Sequence, residues 1–168
     1  MRARICTFAY GSNMLTARLQ KRVRSAVAVG TGQLRGHVLR WHKRSRDDSG
    51  KCDAETTGRN ADVVWGVLFE LDAAEKPELD RAEGLGYGYD EQQVEIITDR
   101  GIVSAVAYIA TDKDPSRRPY HWYKAFVVEG AREHALPRDY LQSLENAPSV
   151  PDPDPAWAAE NERLLTTG

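Results

Sequence analysis

The sequence feature that most constrains the fold is an alternation of apolar side chains between residues 63 and 71. A period of two is typical of a β-strand, because successive side chains point to opposite faces. Residues 5–10 predict a buried strand, and residues 89–98 and 102–110 predict a hairpin across the turn at residues 99–101. The alternating set consists of Val63, Trp65, Val67, Phe69 and Leu71, with Gly66 and Glu70 on the opposite face.

Short helices are predicted between and after these strands. Leu15 and Leu19 lie four residues apart and predict a helix over residues 14–22, which Ser12 or Asn13 caps. Later proline residues begin three further helices, because proline fits the first turn of a helix and not its interior. They are a helix over residues 77–83, one that starts at Pro119, and one over residues 137–144; a last helix covers residues 156–165.

The helix over residues 77–83 has predicted signals at both of its ends. Asp72 opens this part of the chain, with Glu75 three residues later as its capping-box partner. Gly84 is the natural stop of the helix. Earlier in the chain, residues 26–29 and 34–42 predict two strands, and the polar residues 43–62 predict a long surface loop.

These elements together predict one fold class. About six strands with mainly antiparallel connections, and helices between them, indicate an α+β fold with a mixed, mainly antiparallel, barrel-like sheet and flanking helices. No alternation of strand and helix favours a doubly wound parallel sheet. We expect residues 1–147 to form one catalytic domain. Residues 148–168 then form a proline-containing linker and a C-terminal helix, either packed on that domain or fraying from it.

Composition indicates the cellular compartment in which the protein is expected. The chain has 168 residues, of which 41% are hydrophobic and 29% charged, and no apolar run approaches the ~20 residues that a membrane-spanning helix needs. Two isolated cysteines, Cys6 and Cys52, suit a reducing compartment. The sequence therefore predicts a cytoplasmic protein without a membrane partner. The oligomeric state is left open, a homodimer included.

Charge is distributed unevenly along the chain. The first 46 residues contain 11 Lys and Arg and no acidic residue, so all 25 Asp and Glu come later. One interpretation is a nucleic-acid-binding face. The interpretation that we favour pairs the basic strands with later acidic elements, so that no nucleic acid binds. A mild attraction for an anionic small substrate is compatible with it.

The usual catalytic and metal-binding motifs are missing. There is no GxSxG elbow, no Walker A loop, no GxGxxG and no HExxH. The four histidines, His37, His42, His121 and His134, have no ligand-like spacing. The sequence therefore predicts neither a metal nor a cofactor.

The turn at residues 8–14 is the strongest candidate for chemistry. A strand that ends at Gly11 and gives way to a helix exposes unpaired backbone N–H groups, which suit a carboxylate or a developing oxyanion. The alternative interpretation is an ordinary capped helix start, and the residues alone favour it.

A resemblance changes this balance. The run Phe8-Ala-Tyr-Gly-Ser-Asn-Met14 resembles the signature loop of the gamma-glutamylcyclotransferase family, and residues 64–67, 79–84 and 123–140 resemble its central strand, acid-bearing helix end and C-terminal helix pair. The Ser-Asn form of the loop is more similar to the loop of the gamma-glutamylcyclotransferase branch proper than to those of two related branches. The glutathione-degrading branch has Gly-Ser-Leu at this place, and the gamma-glutamylamine branch has Gly-Thr-Leu.

The resemblance implies a reaction and a site. In the family, the α-amine of the substrate attacks its own γ-carbonyl, which gives 5-oxoproline and a free amine without a covalent enzyme intermediate. Glu83 matches the acid that moves the protons, and its place at a helix C-terminus favours the protonated form. The implied substrate-binding residues are Thr7, Phe8, Ala9, Tyr10, Gly11, Ser12 and Asn13 in the loop, whose N–H groups at residues 11–13 hold substrate oxygens, together with Tyr89, Tyr108 and Tyr123.

Several alternatives stay open at this point. A shift in alignment leaves Tyr87 and Tyr89 as competing candidates for one position, and core packing is the other interpretation of the tyrosines. The leaving group could be an amine or a specialised metabolite instead of an amino acid. The chain could also be a non-catalytic binding protein of the same fold.

Overall fold

The computed structural model describes residues 1–166. In this part of the chain there are seven strands, connected by five α-helices and short turns. The strands are β1 (Arg4–Ala9), β2 (Val27–Arg35), β3 (His37–Arg44), β4 (Gly50–Thr56), β5 (Val63–Asp72), β6 (Tyr89–Thr98) and β7 (Gly101–Ala110). The helices are α1 (Thr16–Arg22), α2 (Lys76–Glu83), α3 (His121–Glu133), α4 (Arg138–Glu145) and α5 (Pro155–Thr166).

Five strands close into a barrel in the order β1-β5-β2-β6-β7. All neighbouring pairs are antiparallel except β1 and β7, which pair in parallel at Thr7 and Val106 and close the barrel. The strands β3 and β4 form a separate two-stranded ribbon. The predicted fold, an α+β protein with a mixed and mainly antiparallel barrel-like sheet, is confirmed.

The alternating segment forms the centre of the barrel sheet. Strand β5 pairs with β1 on one side and β2 on the other, and Val67, Phe69 and Leu71 are fully buried. The opposite face of β5 is covered as well, because a Cβ at Gly66 would lie 2.5 Å from the Phe8 ring and from the Ala9 carbonyl oxygen. A glycine here leaves room for the Phe8 ring and for the end of the neighbouring strand β1.

The prediction of a surface loop over residues 43–62 is wrong, because the segment contains β4. The polar residues of β4 suggested a loop because their hydrogen-bond partners lie far away in the sequence. Asp53 is fully buried and accepts hydrogen bonds from the Ala110 N–H (2.9 Å) and from His42 Nε2 (2.7 Å), while Lys113 Nζ lies 3.2 Å away. These contacts hold the ribbon against β7.

The two strands predicted at residues 26–29 and 34–42 are also divided differently. The chain forms one strand through Gly30 and Gly32, and then turns at Gly36, which has a φ of 74°. A Cβ at Gly32 would lie 2.4 Å from Ile96 Cγ2, so glycine permits the close pairing of β2 with β6. Glycine is thus part of the strand and not its end.

Asp72 opens the chain segment before α2 as predicted, because its carboxylate accepts from the Ala74 N–H at 3.0 Å and caps the 3-10 turn Ala73–Glu75. Its predicted capping-box partner is wrong, since Glu75 binds the N–H and hydroxyl of Ser25 (3.0 and 2.7 Å). The predicted cap of α1 is wrong as well. Neither Ser12 nor Asn13 caps α1, whose N-cap is Leu15 without a side-chain hydrogen bond. Ser12, Asn13 and Met14 instead form a separate 3-10 turn.

The C-terminal segment lies against α3. His121 N–H donates to the Val150 carbonyl at 2.9 Å, and Trp122 Nε1 donates to Asp152 at 2.8 Å. Helix α5 packs on α3 beyond this point. The division into a domain of residues 1–147 and a segment of residues 148–168 stays a prediction, and residues 167–168 lie outside the described part. None of the helices in residues 1–166 is both long and apolar enough to cross a membrane.

Candidate active site

A cavity lies where β1 ends and its chain enters the 3-10 turn. Its wall contains every residue that the sequence analysis proposed for the site: Thr7, Phe8, Ala9, Tyr10, Gly11, Ser12, Asn13, Glu83, Tyr89, Tyr108 and Tyr123. Three further residues complete the wall, namely Leu19, Cys52 and Leu79. The topology thus brings together residues from β1, α2, the β6–β7 hairpin and α3.

Close packing shapes the loop at residues 11–14. Gly11 has a φ of −114° and a ψ of −139°. Space is a constraint here, because a Cβ at Gly11 would lie 3.1 Å from Cys52 Cβ and 3.2 Å from the Tyr123 hydroxyl. On the other side, a Cβ at Gly130 would lie 2.5 Å from the Leu15 nitrogen, so α3 packs directly on the turn.

Glu83 is the last residue of α2. Gly84 follows in the left-handed conformation, with a φ of 69°, and ends the helix as predicted. The Glu83 side chain is only 16% exposed, and its Oε1 accepts from the Asn13 amide and lies 3.5 Å from Arg22 Nη1. In the described part of the chain, the hydrogen bonds to Glu83 all reach Oε1, which leaves Oε2 available to a bound molecule.

Buried tyrosine hydroxyls line the cavity and are held in place. Tyr89 donates to the Cys52 carbonyl at 2.6 Å, and Tyr123 accepts from the N–H of the same residue at 3.0 Å. Tyr10 donates to the Tyr108 carbonyl, and Tyr108 donates to Asp80 Oδ1 at 2.5 Å. The tyrosines therefore connect the barrel, the ribbon and two helices around one space.

The same burial keeps these phenols protonated. Loss of solvation raises the pKa of Tyr10, Tyr89 and Tyr123 well above the ordinary value, and the nearby charge of Glu83 adds to the rise. For Tyr108, burial raises the pKa first and the hydrogen bond to Asp80 second. The cavity therefore offers neutral hydroxyl groups at neutral pH, with the charge concentrated on Glu83 and the cations beside it.

The structure distinguishes the two competing tyrosines by position. Tyr89 is 7% exposed and lines the cavity, whereas Tyr87 is 82% exposed at the tip of the turn after α2. Gly86 and Gly88 flank Tyr87 with φ angles of 82° and 135°, and this turn directs its side chain outward.

Sequence reasoning missed Cys52 and the two arginines below the loop. Cys52 falls in the segment that was predicted as a loop, and burial raises the pKa of its thiol to about 12, so the thiol is neutral. Arg18 Nε donates to Ser12 Oγ at 3.1 Å, and Arg22 Nη1 donates to Asn13 Oδ1 at 3.0 Å. Their spacing of four residues on α1, directly after the loop, was the available signal.

No metal ligand set is visible where the structure describes the chain. Among residues 1–166, no group of three or more His, Cys, Asp or Glu side chains is arranged to hold a metal ion. The groups that line the cavity are the Glu83 carboxylate, neutral hydroxyls, the Cys52 thiol and the backbone of the loop.

Comparison with known proteins decides the family. A human gamma-glutamylcyclotransferase is 31% identical over 147 residues, which are 82% of this chain and 76% of the human protein, and the mouse gamma-glutamylcyclotransferase matches to the same extent. The chain belongs to the gamma-glutamylcyclotransferase family. Residues 63–144 also match the AIG2-like family, a range that includes α2, with Glu83, and α3. The predicted family is thereby confirmed.

A solved structure agrees with this membership of the gamma-glutamylcyclotransferase family. A gamma-glutamyl cyclotransferase with 25% identity has a TM-score of 0.85, and the match covers 99% of this chain and 100% of that one. The barrel, the ribbon and the C-terminal helices are thus all within the part that matches.

Proposed function

We propose that this chain is a gamma-glutamylcyclotransferase, which converts a gamma-glutamyl compound into 5-oxoproline and a free amine or amino acid. The observation that carries the proposal is the meeting of Glu83 with the loop at residues 11–13 in one cavity of a chain from this family. Glutathione is itself a gamma-glutamyl peptide, so the proposed reaction belongs to the chemistry of glutathione metabolism.

The reaction needs little covalent help from the protein. The substrate's α-amine and γ-carbonyl belong to one molecule, so folding the substrate inside the cavity brings nucleophile and electrophile together. Attack forms the C–N bond of a five-membered lactam, and the bond to the leaving nitrogen then breaks. We assign the wall of Phe8, Tyr10, Tyr89 and Tyr123 to holding that folded conformation.

Glu83 carries the protons in this proposal. Its carboxylate takes a proton from the α-ammonium group, which frees the amine for attack, and returns a proton to the leaving nitrogen. The free Oε2 suits this role, since Oε1 is already engaged by Asn13 and Arg22. Neither serine nor cysteine is assigned as a nucleophile, because Ser12 Oγ is held by Arg18 and the Cys52 thiol is neutral.

The loop stabilises negative charge in this proposal. The N–H groups of Met14 and Leu15 are already used within the turn, by the carbonyls of Gly11 and Ser12 (3.1 and 3.2 Å). We assign the substrate oxygens to the preceding N–H groups, those of Gly11, Ser12 and Asn13. Fixed backbone donors of this kind stabilise the oxyanion that forms at the γ-carbonyl.

The comparisons do not favour the alternatives. The named relatives are gamma-glutamylcyclotransferases over most of this chain, which argues against a non-catalytic binding protein. A substrate that loses an amine or a specialised metabolite keeps the same chemistry and differs only in its leaving group.

We further propose that the protein binds a small molecule and no nucleic acid. The basic N-terminal residues pair with later acidic ones, as in Arg4–Glu70 (3.9 Å) and Arg40–Glu55 (2.9 Å), which supports mutual compensation of the two charges. Binding to duplex DNA is therefore expected to be undetectable at physiological salt. A cytoplasmic location without membrane binding stays a prediction, which cell fractionation tests. A homodimer also stays a prediction, which analytical ultracentrifugation tests.

One experiment tests the proposed activity. The protein is incubated with a panel of gamma-glutamyl dipeptides and gamma-glutamylamines, and 5-oxoproline is quantified by mass spectrometry. Release from at least one member, at a rate proportional to enzyme concentration, supports the proposal, and the panel member with the highest kcat/KM identifies the leaving group. No release from any member would contradict it.

A further inference from the structure

Arg22, the last residue of α1, contacts both the loop residue Asn13 and the carboxylate of Glu83. Arg22 Nη1 donates to Asn13 Oδ1 at 3.0 Å and lies 3.5 Å from Glu83 Oε1. The Asn13 amide nitrogen donates to the same carboxylate oxygen. We propose that Arg22 is a positioning residue, which holds Asn13 and Glu83 in the geometry that proton transfer requires. This inference rests on the proposed function.

Arg22 fixes the orientation of the Asn13 amide. An amide presents one donor side and one acceptor side, and only the donor side suits a carboxylate. Arg22 has donors alone, so it can engage only the Oδ1 side of Asn13. With Oδ1 held by Arg22, the NH₂ group of Asn13 is directed to Glu83. Without Arg22, only the hydrogen bond to Glu83 holds the Asn13 amide in this orientation.

The helix that carries Arg22 is a rigid platform. Helix α1 is anchored by Leu19 and Val23, which are each 1% exposed. One turn before Arg22, Arg18 binds Ser12 Oγ at 3.1 Å and lies 4.9 Å from the Phe126 ring centroid. Two arginines of one helix thus hold two consecutive loop residues. The Arg22 side chain is 24% exposed, so its position is set by protein contacts as well as by solvent.

Arg22 also forms an ion pair with the carboxylate. Its Nη1 lies 3.5 Å from Glu83 Oε1, and a charge-assisted contact of this kind holds the carboxylate beside the loop. When Arg22 is replaced, the other titratable groups that interact with Glu83 remain in place: Arg18 on α1, Lys43 on β3, Tyr10 after β1, Tyr89 on β6, Tyr108 on β7 and Tyr123 on α3.

The test compares Arg22→Met, Arg22→Lys and a control, Lys21→Met. Lys21 is the neighbouring residue of the same helix turn and is exposed, so its loss changes the net charge equally without touching the site. The assay uses the best gamma-glutamyl substrate from the panel. We expect kcat of Arg22→Met to fall on the order of 10–100-fold, with a smaller change in KM, because misplaced groups lose rate more than binding. Arg22→Lys should lose less, and Lys21→Met should keep the wild-type rate.

A second arm separates positioning from general structural support. If Arg22 acts through Glu83, Arg22→Met should have little further effect in a Glu83→Gln background, because the step it supports is already lost. Equal losses in both backgrounds would overturn the proposal, as would a near-wild-type rate of Arg22→Met. If Arg22→Met does not fold, Arg22→Lys in both backgrounds gives the same comparison.

A third arm does not depend on activity. The ¹³C signal of the Glu83 side-chain carboxyl is recorded at one neutral pH, and it is assigned by its absence in Glu83→Gln. Its chemical shift should differ from wild type in Arg22→Met and stay the same in Lys21→Met, because only Arg22 contacts the carboxylate. An unchanged chemical shift in Arg22→Met would overturn the proposal even for an active enzyme. An inactive wild type whose signal moves in Arg22→Met would count against the proposed function and leave the contact between Arg22 and Glu83 supported.

Discussion

The Tyr123 hydroxyl accepts a hydrogen bond from the backbone N–H of Cys52 at 3.0 Å. This contact joins α3 to the ribbon strand β4 across the top of the cavity, and Tyr89 holds the carbonyl of the same residue from the barrel side. Both backbone polar groups of the buried residue Cys52 are therefore satisfied by cavity tyrosines. Neither tyrosine is replaceable by phenylalanine without leaving a buried backbone group unpaired.

Tyr123→Phe should accordingly lose stability as well as activity. The Cys52 N–H would be left without its partner in a fully buried place, which typically costs about 1–3 kcal/mol of the free energy of unfolding. Urea denaturation followed by circular dichroism measures this loss. Tyr87→Phe is the matched control, since Tyr87 is 82% exposed and should leave the unfolding midpoint unchanged. A Tyr123→Phe midpoint equal to wild type would show that this hydrogen bond contributes nothing.

Glu83→Gln should abolish turnover while the fold is kept. Glutamine preserves the shape and an acceptor oxygen for Arg22, but it cannot carry a proton, so kcat should fall by ~10²-fold or more. Glu78→Gln is the control, because Glu78 is exposed on the same helix and pairs with Arg81. Steady-state release of 5-oxoproline is the measurement. A Glu83→Gln enzyme with near-wild-type kcat would remove Glu83 from the proposed mechanism.

Gly11→Ala should lose more activity than stability, and Gly11→Val should lose still more. The new Cβ would lie 3.1 Å from Cys52 Cβ and 3.2 Å from the Tyr123 hydroxyl. Relief of these contacts displaces the backbone donors of the loop, and one misplaced oxyanion donor costs on the order of 10²-fold in kcat. Kinetics are compared with thermal melting of the same samples.

The control for this pair is Gly30→Ala. A Cβ at Gly30 meets nothing within 4 Å, so both the rate and the melting temperature should stay close to wild type. A Gly11→Val protein that melts and turns over like wild type would show that the turn is not the active site.

Lys51 should make stability depend on pH above neutrality. Burial lowers the pKa of Lys51 to about 8, and Asp47, at 3.4 Å, offsets part of this effect. Between about 8 and the ordinary value of 10.5, the unfolded chain therefore binds more protons than the folded one, so the free energy of unfolding rises with pH. The rise from this one group is on the order of 3 kcal/mol at most. Lys51→Met should lack it.

The measurement is chemical denaturation from neutral pH to about pH 9, below the midpoint at which unfolded tyrosines ionise. The contribution of Lys51 is the difference between the wild-type and Lys51→Met curves. Lys21→Met, which removes an exposed lysine, should retain the wild-type rise. If wild type and Lys51→Met show parallel curves, the Lys51 ammonium is not buried in the folded protein.

Local signals mark the positions of the loop and of the helix end, whereas the roles of the loop and of Glu83 were implied by the family resemblance. The strand end and the glycine at residue 11 mark the turn, and the helix stop at Gly84 places Glu83 at a helix end. Both are properties of a few neighbouring residues, so one sequence is enough to detect them. Grouping them in one site still required the family resemblance, because no periodicity relates residue 11 to residue 83.

Strand β4 of the ribbon could not be predicted, because its contacts are not local in the sequence. The polar residues of β4 find their partners far along the chain, as Asp53 does with Ala110 and Cys52 with Tyr123. Read locally, such residues indicate solvent exposure, and a loop is the natural prediction. The same separation concealed Arg22, whose partner Glu83 lies on another helix.

The closure of the barrel has a consequence for synthesis on the ribosome. The first strand completes its pairing only with the last, through the parallel pair of Thr7 and Val106. Until β7 has left the exit tunnel, β1 therefore keeps an open edge, and Tyr123 emerges later still. A nascent chain cut short before α3 has neither a closed sheet nor a finished cavity, so catalytic competence should arise in one late step instead of accumulating as the chain grows.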